Sequence, residues 1–270
     1  MCVVSPLFSI VVCSNRPERA AVVRDHYASL FRDHPHEILL IEDAVSLCEG
    51  YARGVRRSRG RYLVFSHDDV ELVTPDAAGR LEQHLSQWDV VGIAGTTRLI
   101  DGAWGTIGDP YCFALVIYPE ADGLYAVKCI GAGPLCVSAV QAFDGCFFAC
   151  RREVAETVGF DEVTFDGFHL YDVDFTFASY LAGFRQAVCR DIALIHASLG
   201  TYNDAWRRYK ERFERKYAGR LAPGTPGPTR ELRARLPKEK LAWFCEPSAL
   251  EKLIGRLAQP AEAAAGAQTR

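Results

Sequence analysis

The feature that most constrains this chain is the regular alternation, over its first hundred residues, of short apolar runs with segments of helical periodicity. Residues 8–13 (Phe-Ser-Ile-Val-Val-Cys) read as a buried strand. Residues 17–34 place Val23, Tyr27, Leu30 and Phe31 at helical spacing, and Pro17 suits a first helical turn. Residues 37–41 read as a second strand and 47–57 as a second helix, with Arg53, Arg56 and Arg57 on its outer side and Arg59 just beyond. Residues 62–66 form a third strand, 76–87 a third helix after Pro75, and 90–95 a fourth strand. Strands separated by helices pair in parallel through right-handed crossovers. The expected fold class is therefore α/β: a Rossmann-like, mostly parallel central sheet flanked by helices.

In such sheets ligands bind beyond the carboxyl ends of the strands, and three polar clusters fall at those ends: Ser14-Asn15-Arg16, Glu42-Asp43 and His67-Asp68-Asp69. The third is the most informative. Four strand residues lead directly into metal-capable side chains, a rigid mount for the hard oxygen ligands that suit a divalent cation bound to phosphate. The competing reading of that segment alone is an exposed turn with two solvated aspartates. The arginines at 53–59 offer phosphate contacts, but a solvated helix face is preferred.

Composition narrows the function classes. At 49% hydrophobic over 270 residues the chain can bury a sizeable core. A formal net charge of -3 argues against general nucleic-acid binding, which would leave a strongly basic domain. No apolar run approaches the ~20 residues that span a bilayer, and the first residues lack a cationic, apolar, small-residue leader pattern. The ten cysteines are scattered, and Cys13, Cys112, Cys146 and Cys150 sit in apolar runs where a thiol behaves as a small hydrophobe. They read as reduced, and the expected location is the cytoplasm. Cys146 and Cys150 have no second pair at zinc spacing, so a structural zinc site is not expected there.

From residue 99 to 134 the chain is glycine-rich and loop-like, carries Trp104, and is interrupted by strand-like runs at 112–118 and 125–130. It reads as an elaborated loop and hairpin region over the crevice. Residues 137–148 are a strand region broken by Asp144-Gly145, 151–158 a short helix, and 173–182 a helix stopped at Gly183. Strands at 186–189 and 192–195 follow, the latter delivering His196. Residues 202–217 form a basic amphipathic helix. Packing on the core with a solvated back is preferred over contact with an anionic membrane surface or a lipid-diphosphate acceptor. Residues 221–228 read as a linker, 241–257 as a short helical appendage, and 260–270 as an Ala-rich disordered tail.

Taken in order, Phe8-Ser-Ile-Val-Val-Cys-Ser-Asn-Arg16, Leu39-Leu-Ile-Glu-Asp43, Gly60-Arg-Tyr-Leu-Val-Phe-Ser-His-Asp-Asp-Val70, Phe143-Asp-Gly-Cys-Phe-Phe-Ala-Cys-Arg-Arg152, Gly159-Phe-Asp-Glu162 and Tyr171-Asp-Val-Asp-Phe175 resemble a GT-A glycosyltransferase of the family 2 type. The His-x-Asp form is similar to the bacterial glycosyltransferase-like branch. The resemblance covers about residues 7–200. It implies a GT-A domain over residues 1–220, with a nucleotide-binding half (7–100) and an acceptor or catalytic half (101–200), and a separate stretch at 221–270. It implies a metal-dependent, inverting transfer of a sugar from a nucleotide-diphosphate sugar to a saccharide or lipid-linked acceptor hydroxyl, in the setting of bacterial surface-polysaccharide assembly.

Mn2+ or Mg2+ is the implied cofactor. Asp69 corresponds to the last aspartate of the family's Asp-x-Asp and His196 to a carboxy-terminal metal histidine. His67 replaces the motif's first aspartate, which leaves open whether it binds metal, ribose or nothing. Ser14, Asn15, Arg16, Asp43 and Asp68 fall on the nucleotide side. Trp104, Asp144 and Phe168-His169 frame the acceptor side. Asp172 aligns with the family's catalytic base, with Tyr171 in place of the neighbouring glutamate. Helix capping is the alternative for Asp172, and a core histidine that for His196. Two other functions use the same residues: a phosphohydrolase acting on nucleotide sugars and a non-catalytic nucleotide-sugar binding module.

Overall fold

The computed structural model describes residues 6–258; the expected tail at 260–270 lies outside them. The first half alternates as the periodicity requires: β1 (Phe8–Cys13), α1 (Pro17–Leu30), β2 (His36–Ile41), α2 (Leu47–Arg57), β3 (Tyr62–His67), β4 (Val70–Leu72), α3 (Ala77–Gln87), β5 (Val90–Gly92) and β6 (Ala94–Thr96). The second half runs β7 (Cys112–Pro119), β8 (Tyr125–Ile130), β9 (Cys136–Ser138), β10 (Ala142–Phe143), β11 (Phe147–Arg151), α4 (Arg152–Val158), α5 (Tyr171–Leu181), β12 (Gln186–Cys189), β13 (Leu194–His196), α6 (Asp204–Lys216), β14 (Glu231–Leu236), α7 (Leu241–Phe244) and α8 (Pro247–Leu257).

The α/β class is present, but the central sheet is mixed. Its order is β2-β1-β3-β11-β5-β12-β9. β1 pairs in parallel with β2 and β3, as helical crossovers demand, and β5 pairs in parallel with β12. β11 enters between β3 and β5 antiparallel to both. The reason is connectivity: β11 follows β10 through the short Asp144-Gly145 loop and not through a helix, so the crossover rule does not apply to it. The run at 90–95 is also two strands. β5 stays in the first sheet while β6 turns into a second, ordered β10-β6-β7-β13-β4 with β8 and β14 attached through β7. β14 lies in the stretch read from sequence only as linker and appendage; it pairs antiparallel with β8 over its full length.

The elements are locally well specified. Ser46 caps α2 by accepting from Glu49 N at 3.0 Å. The Gly54 face of α2 lies so close to β1 that a side chain there would run into Val11, so glycine permits the close packing that brings this helix onto the sheet. Beneath the carboxyl end of β3, Phe65, Phe148, Phe160 and Phe175 form one aromatic cluster, with Phe160 and Phe175 stacked at 4.4 Å. Phe65 and Phe175 are wholly buried. Truncating such a ring costs ~3–5 kcal/mol, so the strand end above it is held rigidly.

Candidate active site

A cavity of about 630 Å³ opens where the two sheets meet. β3 delivers His67 to its wall and β13 delivers His196. The register Leu194↔Leu72, Ile195↔Glu71, His196↔Val70 sets His196 against the turn that follows β3. His196 Nε2 thereby stands 3.4 Å from Asp69 Oδ1. One ligand atom each from His67, Asp69 and His196 falls within 4.8 Å of the others, a spacing one cation can span.

The chemistry of this set fits a divalent metal. Tyr171 has a single hydroxyl proton, which it donates to the Gly145 carbonyl at 3.0 Å. It must then accept from His67 Nε2–H, 2.6 Å away, leaving Nδ1 of that ring as a lone-pair donor. Tyr171 thus orients a histidine. Burial opposes ionisation of Asp69, but hydrogen bonds from His196 and Ser198 and the neighbouring imidazoles outweigh it and hold its carboxyl well below the usual range. Burial, with His196 beside it, pushes His67 down, favouring the neutral imidazole that ligates metals.

Asp68 turns the other way. It accepts from Ser14 Oγ at 2.6 Å, and Arg19 lies 3.5 Å from Asp68 and 3.9 Å from Asp69. Sequence reasoning missed Arg19, although its place in the first turn of α1, beside the carboxyl end of β1, was a usable signal. Asn15 and Arg16 are exposed at the start of α1 and do not line the cavity. Asp43 is largely exposed at the end of β2 and ion-paired with Arg53 at 2.9 Å. Arg56 is likewise paired with Glu162 and Arg59 with Glu37, and none of Arg53, Arg56, Arg57 and Arg59 lines the cavity.

On the opposite wall, α5 begins at Tyr171, with Asp172 and Asp174 in its first turn. Leu170, immediately before it, adopts φ 61°, a left-handed conformation costly for a branched residue. Burial, and secondarily the Asp144 carboxylate, push Asp172 up to about 7, although backbone N–H groups of Val173 and Gly145 favour its ionised form. Gly145 has to be glycine, since a Cβ there would meet the Tyr171 hydroxyl and lie 2.7 Å from Asp172 Oδ2. Asp144 accepts from Trp104 Nε1 at 3.1 Å and from Cys146 N at 3.0 Å. Trp104, Asp144, His169 and Asp172 therefore all face the cavity. Asp174 does not: it is buried and bound to Lys216 and the Tyr217 hydroxyl, each at 2.7 Å, fastening α6 to α5.

α6 also contributes to the wall. Trp206 and, just before the helix, Tyr202 line the cavity with their rings 4.9 Å apart. The sequence placed both on the packing face of a basic helix; only the tertiary position shows that the amino end of that face overhangs the cavity. The basic side is largely neutralised, with Lys210 bound to Asp101, Arg212 to Asp166 and Lys216 to Asp161 and Asp174. No helix among the described residues is long and apolar enough to cross a membrane. Lys128 of β8 and Glu231 of β14, paired at 2.7 Å, close another edge of the cavity and were not singled out from sequence.

Metal-capable and acidic side chains thus wall one cavity between the sheets of a mixed α/β fold, and comparison with known proteins gives the family. Residues 9–217 match the profile of the "Glycosyltransferase like family", and the chain belongs to that family. A curated relative, the "ATP synthase subunits region ORF 6" product of Fuscovulum blasticum, is 27% identical over 175 residues, covering 62% of this chain and 64% of the relative. The chain thus matches less than two thirds of that relative's length. Among solved structures, the mannosyltransferase PcManGT of Pyrobaculum calidifontis, in complex with GDP-Man and Mn2+, is similar at 13% identity and TM-score 0.46, covering 98% of this chain and 77% of that one. TarS of S. aureus, in complex with UDP-GlcNAc, is similar at 13% identity and TM-score 0.42, covering 72% and 59%.

Proposed function

We propose that the protein is a metal-dependent, inverting glycosyltransferase that moves a sugar from a nucleotide-diphosphate sugar to an acceptor hydroxyl, in the assembly of a bacterial surface polysaccharide. The observation that carries this reading is the His67-Asp69-His196 set, whose two imidazoles line the same cavity as a carboxyl group, Asp172, pushed up to about 7. A bound cation would supply charge neutralisation for the departing diphosphate. Two imidazoles beside one carboxylate favour Mn2+ over Mg2+, which takes oxygen ligands almost solely.

Asp172 takes the proton from the acceptor hydroxyl as that oxygen bonds to the anomeric carbon and the carbon–oxygen bond to the diphosphate breaks. Attack on the face opposite the leaving group inverts the anomeric centre. Ser14 and Asp68, with Arg19 at their side, form the donor's edge of the site. Trp104, Tyr202 and Trp206 provide ring faces for an acceptor sugar, and the Trp104 bond to Asp144 fixes the first of them. His169 completes that rim. Residues 1–220 carry donor and acceptor halves, while β14 and α8 support the acceptor half through β8.

The test is a thermal-shift panel of nucleotide sugars with and without Mn2+, since a true donor stabilises the folded state by mass action. The stabilising donor is then incubated with saccharide acceptors and the product anomer assigned by NMR. Retention of configuration removes the single-displacement reading. Nucleoside diphosphate released equally fast with and without acceptor would identify a phosphohydrolase instead.

A further inference from the structure

Away from the cavity, three side chains from distant parts of the chain meet at one edge of the central sheet. Cys136 opens β9, Cys189 closes β12, and the two are direct cross-strand neighbours in register. Their sulfurs are free and 2.9 Å apart. His84, in the last turn of α3, brings Nδ1 to 3.6 Å from Cys136 Sγ. All three ligand atoms fall within 4.8 Å of one another. None of these residues lines the central cavity.

The far side of the imidazole is equally defined. His84 Nε2 sits 2.9 Å from both carboxylate oxygens of Asp191. Nε2 therefore donates to Asp191, and Nδ1 is turned toward the sulfurs, where its lone pair becomes available to a metal when the ring is neutral. This is the carboxylate–histidine arrangement that orients metal-bound imidazoles. Both cysteines are held in place as well. Arg190, fully buried next to Cys189, donates to the carbonyls of Ile130, Gly131 and Pro134 in the loop that enters Cys136, at 3.0, 2.5 and 2.5 Å. Arg190 N bonds Leu135 O at 2.8 Å. The Asp191 carbonyl accepts from Arg80 at 2.5 Å.

We propose that His84, Cys136 and Cys189 form a second metal site, for a thiophilic divalent cation of the zinc class, with Asp191 as the orienting partner of His84. Two thiolates and an imidazole select such a cation and disfavour Mg2+ or Mn2+. At Zn–S distances of about 2.3 Å and tetrahedral angles the sulfurs stand about 3.8 Å apart, within reach of a small rotation about χ1 from their present separation. Cys136 and His84 are partly exposed, which leaves the fourth position open to water. The site would clamp β9, a three-residue edge strand, to β12 and α3, and it stands apart from the proposed transfer chemistry. Zinc-finger spacing could not reveal it, because its ligands come from three separate elements.

The test uses the full chain, reduced and exchanged into Co2+ or Zn2+. Wild type is expected to show a thiolate-to-cobalt charge-transfer band, bleached by Zn2+, and to retain equimolar zinc after gel filtration. Cys136→Ser and His84→Ala should lose the band, Asp191→Asn should weaken the zinc binding that bleaches it by ~10 to 100-fold, and Asp69→Ala should leave the band unchanged. Circular dichroism confirms that each variant is folded, and the wild-type cobalt spectrum decides the question even where one is not. Absence of the band in reduced wild type, or zinc affinity equal in wild type and Cys136→Ser, would overturn the proposal. So would the loss of two free thiols with no metal bound when reductant is removed, which assigns the pair to a cross-strand disulfide.

Discussion

Asp69 and Asp172 are the same chemical group beside one cavity, and their surroundings drive them in opposite directions. Asp69 sits in a turn between two strands, and hydrogen bonds from His196 and Ser198 overcome the cost of burial, so it stays a carboxylate at any physiological pH. Asp172 lies at a helix start facing another carboxylate, Asp144, and burial wins: the group is pushed up to about 7. The lesson is that burial alone assigns no role; the sign of the neighbours does. One environment favours a lasting anion, as the proposed cation ligand requires, and the other a carboxyl that changes charge near neutrality, as the proposed base requires.

The hardest blow to this contrast comes from Asp69→Ala. With no anion to hold the cation, kcat should fall by roughly 10³-fold and added Mn2+ should no longer stimulate it, a loss on the scale of removing a major electrostatic stabiliser. Full activity of wild type in excess chelator would break the metal side of the comparison outright.

Asp172→Asn tests the other side. Transfer should drop by ~100-fold or more, the scale of a general base, while the donor-induced thermal shift persists. Because the folded-state pKa of Asp172 is raised, ionising it costs stability as pH rises from the unfolded carboxyl range to about 7. The neutral amide escapes that cost, so at pH 8 the variant should melt at or above the wild-type temperature. Turnover within a few fold of wild type would reduce Asp172 to a helix cap.

His196→Ala sharpens the metal side. Mn2+ affinity, read by titration of activity or of a bound-metal signal, should weaken by ~10 to 100-fold, with kcat largely recovered at saturating metal. An unchanged titration would make His196 a core histidine whose partner is only Asp69.

The smallest effect is a pH profile. Below about pH 7 Asp172 holds its proton and cannot accept another, so log kcat should fall with unit slope, roughly tenfold per pH unit, on the acid side. Asp69, held below the usual carboxylate range, adds no second step there. An acid limb that survives in Asp172→Asn would show that another group titrates.

How legible all this was from sequence depends on the distance between partners along the chain. The βα alternation of β1 to α3 follows from periodicities spanning a few residues, and the same reading put His67, Asp68 and Asp69 at the carboxyl end of β3, where they lie. The antiparallel place of β11 between β3 and β5 was not legible, because its neighbours in the sheet are chosen by long-range pairing. β14 was overlooked because its alternating Glu231-Leu-Arg-Ala-Arg-Leu236 pattern is marginal until β8 is there to pair with. Tyr202 carried no local mark of its place at the cavity.

The sequence by itself determined the element types, the polar clusters at strand ends and the residue types able to bind metal or move a proton, because these depend on neighbours within one turn or one strand. Only the tertiary structure decided which of them meet. The β13–β4 register sets His196 on Asp69, the Tyr171 hydroxyl fixes the tautomer of His67, and the close approach permitted by Gly145 sets Asp144 against Asp172. Ligand sets and shifted protonation both arise from distances of a few ångströms between groups far apart in sequence. Such distances exist only once the sheets have closed on one another.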